Sequence, residues 1–340
     1  MGSNPTSTAV ARAGLRGSGG RPFACADDGG GDPDVDAEIE RIGAAIGSLV
    51  AHDGRYGADA ISAAAVGLWW GAQRRLGSGR VPGARRNDLR AAVAEAAELA
   101  GWLLFDADDQ PGSRTATLHA YRLARRAGDR STERFALTNL AMQDVEVGRS
   151  GEALRISDGI LARPRIPPRV AALARIRRAR ALADLGAGTP AAGDLRAARA
   201  AVADSLSPRD PAWTWWVDEC ELGAHEGAVL LAQGDAAEAA DRVEHAAHLA
   251  ASRADARGGL YFQVSLVECY ARARAWRACE EALTGVLAML EEVASGRNRR
   301  RLRTAMRSVL RDPRSPRWLR HALHDVSGAA GVSGAGGTPG

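Results

Sequence analysis

The chain contains no lysine, so all 45 of its cationic side chains are arginine. Together with the abundance of Ala and Gly, this reads as the coding bias of a GC-rich genome and not as a functional signal. Aromatic residues make up only 5% of the sequence, and its 46% hydrophobic content is dominated by Ala, with Leu and Val. Ala and Leu lose little on entering a helix, so this composition favours helices. No run of alternating β-branched residues is long enough to predict a sheet. No stretch approaches the ~18 apolar residues that span a bilayer, and no apolar signal-peptide region opens the chain, so a cytoplasmic location is the expectation. Met1-Gly2 followed by Thr6 fits the myristoylation pattern, which we read as a chance match. The four cysteines (Cys25, Cys220, Cys269, Cys279) have no C-x-x-C spacing. Cys220 and Cys269 lie in apolar helical patterns, where reduced, buried thiols are expected.

Catalytic signatures are also missing. No G-x-S-x-G, phosphate-cradling loop or dinucleotide fingerprint follows a strand, because no strand is predicted. His225-Glu226 is followed by Gly-Ala-Val-Leu, so the zinc motif H-E-x-x-H is absent. His245 and His248 are spaced like a ligand pair but have no Cys or carboxylate trio at fixed spacing, and they read as surface histidines. Cys220 stands beside Asp218 and Glu219, whose charge raises a thiol pKa instead of activating the thiol. The expectation is a non-enzyme with no catalytic residues, no metal and no cofactor.

The remaining pattern is helical. Residues 1–33, with GSGG and DDGGGD runs, and the tail 327–340 lack apolar periodicity and are expected to be disordered. A single helical domain is expected over 34–326. Val35, Ile39, Ile42, Ile46 and Leu49 paint one face of the first helix, and Asp34 and Asp36 suit its positive end. A second helix is expected over about 58–76 and a third from about Asn87. Stops follow at Gly128-Asp129, Gly148, Pro164 to Pro168, Gly186 to Pro190, Ser207-Pro208, Gly234-Asp235 and Gly258-Gly259.

The stops have a rhythm. Turns at Asp108, Gly148, Gly186, Gly234 and Ala273 are separated by 40, 38, 48 and 39 residues. Gly148-Arg149-Ser150-Gly151-Glu152-Ala153-Leu154 has the small-residue turn and Glu-Ala-Leu that open the second helix of a tetratricopeptide (TPR) repeat. Gly234-Asp235-Ala236-Ala237-Glu238-Ala239-Ala240 repeats it, with Asp235 available as N-cap. These observations predict an all-α, TPR-like α-solenoid of antiparallel helix pairs, with about 12 to 14 helices and a right-handed wind.

Several segments resemble the C-terminal, TPR-like sensor region of actinobacterial Xre-type helix-turn-helix transcriptional regulators. They are Gly101 to Asp108 (GWLLFDAD), Leu123 to Arg130 (LARRAGDR), Gly148-Arg149 with Glu152-Ala153-Leu154, and the run Asp210 to Glu219 (DPAWTWWVDE) with Glu221-Leu222 and His225-Glu226. The resemblance covers about residues 40–310. It implies a binding module for a peptide, protein or small-molecule signal. Members of that family usually carry an N-terminal DNA-binding domain, and the Gly-rich residues before Asp34 are not expected to supply one.

Two candidate surfaces follow. On a helix expected from about Trp213 to Gln233, Trp213 and Trp216 are three apart, and Asp218, Glu221 and His225 share one face. These five residues are the candidate ligand or partner site, with core packing by the tryptophans and ion-paired acids as the competing reading. Trp69-Trp70, Trp102 and Trp276 read as repeat-packing aromatics. The net charge of +4 is uneven: ten Arg and two Asp between Arg297 and Asp325 give a local +8, leaving −4 elsewhere. Arg299, Arg300, Arg301 and Arg303 could contact nucleic-acid phosphates. A capping helix explains the same charges, because Leu302, Met306, Val309 and Leu310 keep an apolar stripe among them. No membrane partner is expected.

Overall fold

The computed structural model describes residues 33–203 and 206–329. The expected disordered segments lie outside the described residues except at 33 and 327–329, which are helical. Pro33 opens the first helix, where its fixed φ and missing N–H cost nothing. Among the described residues there are fourteen α-helices and no strand. They are α1 (Pro33–Tyr56), α2 (Ser62–Gly77), α3 (Arg86–Asp106), α4 (Gln110–Ala127), α5 (Arg130–Glu146), α6 (Ser150–Leu161) and α7 (Pro168–Asp184). The second half holds α8 (Gly188–Ala203), α9 (Glu219–Gln233), α10 (Ala236–Ala250), α11 (Ala256–Ala273), α12 (Trp276–Leu290), α13 (Gly296–Arg311) and α14 (Arg317–Ala329). Short 3-10 turns cover Gly83–Arg85 and Ala212–Trp216.

Five chain reversals are built alike. Asp108, Gly148, Gly186, Gly234 and Arg274 all have positive φ, between 55° and 95°. Each lies just past an odd-numbered helix, α3 to α11. The N–H of the following residue donates back to the carbonyl four residues before the left-handed one: Asp109 to Leu104 (2.9 Å), Arg149 to Asp144 (2.7 Å), Ala187 to Leu182 (2.8 Å), Asp235 to Leu230 (3.0 Å) and Ala275 to Tyr270 (3.0 Å). This Schellman closure satisfies the last helical carbonyls and turns the chain within two or three residues. The expected turn at Ala273 is therefore one residue early. The long third interval is an insertion between α8 and α9 that carries the 212–216 turn.

Other expectations need correction. Gly258-Gly259 does not stop a helix: the break lies over Ala251–Asp255, and both glycines sit in the first turn of α11. Asp255 caps that helix by accepting from the Gly258 N–H at 2.8 Å. Asp235 occupies the N-cap position of α10, but its side chain makes no capping bond. The helix expected from Trp213 begins only at Glu219, because extended Asp218 is its N-cap and accepts from the N–H groups of Cys220 and Glu221.

Each odd-numbered helix from α3 to α11 packs against the even-numbered helix that follows and against the next odd-numbered helix. The series α3, α5, α7, α9, α11, α13 then closes, since α13 packs on α3 and α11 packs on α1. The six helices form an inner ring, and α4, α6, α8, α10 and α12 are their successive partners. The core lies between partners, filled by Leu89, Leu103, Ile160, Leu173, Ile176, Leu222, Leu260 and Leu302, all essentially inaccessible. Each such side chain contributes about 1.5–3 kcal/mol by leaving water.

The seam is specific. Ala294 N–H donates to Tyr56 O at 2.8 Å, and Asp59 N–H donates to Ala294 O at 3.2 Å. Gly296 N–H donates to Asp59 Oδ1 at 2.8 Å. A Cβ on Gly57, whose φ is +81°, would stand 2.3 Å from Ala294 O, and one on Gly296 would stand 2.4 Å from Ala107 O. Both obstacles are backbone, so the chains meet only because these residues lack a side chain.

Gly57→Ala is expected to cost about 2–4 kcal/mol, combining left-handed strain with overpacking. Gly79→Ala is the control, because Gly79 has φ +74° with nothing near its Cβ position, and should cost about 1 kcal/mol. Urea unfolding midpoints compare the two; equal losses would mean that the seam tolerates the methyl.

Candidate functional site

The inner ring encloses a cavity of about 320 Å3. Its wall takes Val50 and Asp53 from α1, Glu98, Leu99 and Trp102 from α3, and Phe135, Asn139, Met142 and Glu146 from α5. Arg177 and Arg180 come from α7, Glu221, Ala224 and His225 from α9, Arg257 and Tyr261 from α11, and Arg297 from α13. Trp213, Trp215 and Trp216 of the inserted turn also line it. Trp215 also lines the cavity yet is 46% exposed, so the cavity meets solvent beside that turn. Arg253, another exposed lining residue, is ion-paired there with Asp218.

Four of the five residues singled out from the sequence meet in this wall. Trp213 is buried, stacks on Phe135 with centroids 4.5 Å apart, and donates from Nε1 to Ser131 Oγ at 3.1 Å. Trp216 lies 6.3 Å from Trp213 and 6.4 Å from Phe135. Glu221 and His225 are one helical turn apart on α9, 3.0 Å between Oε1 and Nε2. Asp218 is not in the wall; its carboxylate caps α9 and pairs with Arg253. Core packing and site geometry are thus both present at the tryptophans.

The α7–α9 side of the wall is a hydrogen-bonded network of two arginines, a carboxylate and an imidazole. Arg177, 2% exposed, is 3.0 Å from Glu221 Oε1. Arg177 and Arg180 approach the two nitrogens of His225 at 2.5 and 3.0 Å. Burial pushes His225 down to about 4, Glu221 opposes this, and Arg177 and Arg180 add to it. The ring is therefore neutral at pH 7. Burial works against ionisation of Glu221, but His225 and Arg177 hold its carboxyl down at about 2. With His225 neutral, Arg177 is the counter-ion that counts.

The α1–α11–α13 side is similarly paired. Asp53 accepts from Trp102 Nε1 at 2.9 Å and forms an ion pair with Arg257 at 3.1 Å. Burial raises the Asp53 pKa, against the pull of Arg257. Arg257 lies 5.0 Å from the Trp102 ring, and Arg297 packs against Trp102, Phe105 and Tyr261 at 4.6–5.7 Å while pairing with Asp106 at 3.3 Å. Glu146 pairs with Arg300 at 2.7 Å; burial works against its ionisation, but Arg301, Arg297 and Arg300 hold its pKa below the usual range.

Glu98 differs from these. It is 3% exposed, its carboxylate accepts from Asn139 Nδ2, and among the described residues no cation pairs with it. Burial pushes its carboxyl up to about 7, and only the Asn139 hydrogen bond resists.

The sequence did not single out Glu98, Asn139, Asp53, Arg177 or Arg257, and it treated Trp102 as packing. A usable signal was present for Glu98. The run Ala91 to Leu104 is apolar nearly all round, and a helix of that kind is buried, so an acid within it needs an explanation.

Of the C-terminal arginines, Arg297, Arg299, Arg300 and Arg301 pair with carboxylates, whereas Arg307, Arg311, Arg314 and Arg317 are exposed. Arg299 pairs with Asp59, Arg300 with Asp108 at 2.8 Å as well as Glu146, and Arg301 with Glu268 at 2.6 Å. Arg303 is exposed, its Nε donating to Arg299 O at 3.2 Å. Cys220, Cys269 and Cys279 are buried free thiols, Cys25 lies outside the described residues, and burial raises all three described pKa values, with Asp218 adding to the shift at Cys220. His245 and His248 are exposed on α10. Among the described residues no cluster of three or more His, Cys, Asp or Glu could hold a metal, and no helix is long and apolar enough to cross a membrane. No protein-family model matches the chain, and a search of curated proteins returns no significant match.

Glu98 makes stability depend on pH with a definite sign. Its folded pKa, about 7, lies above the unfolded 4.5, so the folded chain binds the extra proton between those values. Its contribution is fully present below 4.5 and is lost as pH rises through 7, a swing of roughly 3 kcal/mol. Glu98→Gln should therefore raise unfolding free energy at pH 8 by about 1–3 kcal/mol and flatten this part of the profile. Denaturant titrations at pH 5 and 8 test it; an unchanged difference between the two would show that Glu98 does not titrate as described.

Proposed function

We propose that the protein is a TPR-like ligand-binding module whose central cavity takes a small molecule as its signal. One observation carries this reading: the inner helices form a closed ring around about 320 Å3 of space lined by aromatic and charged side chains. That volume is at the lower end of ligand sites, and convergent polar groups in an aromatic wall are what such sites use for orientation. The packing of α13 on α3 supports a small ligand over an extended peptide or a partner helix, which suits an open groove better. The five matching turns, 38 to 40 residues apart except across the insertion, support the TPR-like description. The resemblance to the sensor regions of Xre-type regulators adds signal sensing in transcriptional control as the context.

The alternative of nucleic-acid contact through the C-terminal arginines is less well supported, since Arg299, Arg300 and Arg301 already face carboxylates of this chain. Releasing them for phosphate would leave those acids unpaired. No observation favours catalysis, and Glu221 is held as the ion-pair partner of Arg177.

The test compares the wild type with Ala224→Leu, which adds volume inside the wall. The dialysable fraction of a cell extract is expected to raise the wild-type Tm by several degrees, as saturation of a site does, and to leave the variant unchanged. Stabilisation only by the non-dialysable fraction, or equal shifts in both proteins, would overturn the reading.

A further inference from the structure

Asp53, Glu146, Glu221 and Asp255 all line the cavity, and each has an arginine partner: Arg257 at 3.1 Å, Arg300 at 2.7 Å, Arg177 at 3.0 Å and Arg257 at 3.7 Å. Glu98 has none. A buried carboxylate without a counter-ion is costly, and the usual native solution is a pairing charge. On the cationic side the corresponding orphan is Arg180, whose side-chain bond goes to His225 and not to a carboxylate. Arg180 is only half-buried, so water can solvate its guanidinium at little cost. The group with a large unmet demand is therefore the acid.

The surroundings of Glu98 favour the same ligand charge. Its partner Asn139 stands one helical turn from Phe135, which stacks on Trp213 and approaches Trp216. Cation–π contacts in this wall use Trp102 and Tyr261. Among the described residues, no arginine sits over Phe135, Trp213 or Trp216. Aromatic faces attract cations and pack flat apolar bodies, and here they adjoin a carboxylate that lacks a positive partner.

We propose that the cavity recognises a protonated amine carrying an aromatic or bulky apolar body, its ammonium group paired with Glu98 and its body against Phe135, Trp213 and Trp216. This rests on the small-molecule reading above. The ammonium would donate to the Glu98 carboxylate while Asn139 holds that carboxylate from the other side. A carboxylate-bearing ligand of the same shape would set two negative charges against each other at this end of the cavity.

The experiment uses tryptamine and indole-3-propionate, which share a ring system and differ in the sign of the terminal group. Calorimetric titration of the full-length protein is expected to show saturable binding of tryptamine, at least tenfold weaker binding to Glu98→Gln, and little binding of indole-3-propionate to either protein. Glu98→Gln is expected to fold at least as stably as the wild type, so a loss is read as lost recognition. Tryptamine affinity within twofold of wild type in Glu98→Gln overturns the proposal, as does wild-type affinity weaker than about 1 mM. Indole-3-propionate binding that Ala224→Leu abolishes also overturns it but leaves the cavity reading intact. The extract experiment judges that reading separately.

Discussion

Two backbone hydrogen bonds join Ala294, just before α13, to Tyr56 and Asp59 at the end of α1, and the enclosed cavity presupposes them. In an open array of helix hairpins, the outermost inner-facing helices present an uncovered apolar side and must be capped by polar sequence. Here α13 covers α3 and α1 covers α11. That is why α3 can be apolar nearly all round: it meets α1, α2, α4, α5 and α13 at once. Closure demands close backbone approach, which Gly57 and Gly296 permit.

Closure also explains part of the charge asymmetry. Four of the ten C-terminal arginines, Arg297, Arg299, Arg300 and Arg301, are answered by Asp59, Asp106, Asp108 and Glu146, which belong to the first half of the chain, and by Glu268 on the neighbouring α11. That part of an excess that looks like a phosphate-binding surface along the chain is a complementary seam in three dimensions. Guanidinium groups suit it, because Arg300 reaches two carboxylates at once and Arg297 stacks on aromatic faces while pairing with Asp106.

What could be read from the sequence followed the range of the interaction. The hairpin turns were legible because they are local: a left-handed residue past the helix end and a six-residue hydrogen-bonded closure are set by neighbours along the chain. Asp108 and Arg274 fill that position without being glycine, so the rhythm gave a better signal than residue type. Gly258-Gly259 misled for the converse reason, since two glycines after a capping Asp begin a helix as readily as they end one. The 48-residue interval pointed to the insertion, but not to its role in bringing Trp213 and Trp216 into the wall. Glu221 and His225 were found because they share a helical face. Their partners Arg177 and Arg180 lie more than forty residues away on α7, and nothing local links the two helices. Asp218 looked like part of the same face, but its capping role turns it toward the backbone.

Glu98 connects fold to function most directly. Most of the polar groups in the wall are paired in ways that stabilise the ring, so they could be kept for folding alone. A buried carboxylate at the cavity wall with only the Asn139 amide as partner does the opposite: it lowers the stability of the empty protein at neutral pH. Local conflicts with packing rules tend to collect at sites whose purpose is binding. Replacing Glu98 by leucine would fill the same space without the desolvation cost. The seam explains why the cavity exists, but it gives no reason for an unpaired acid inside it, and a positively charged occupant does.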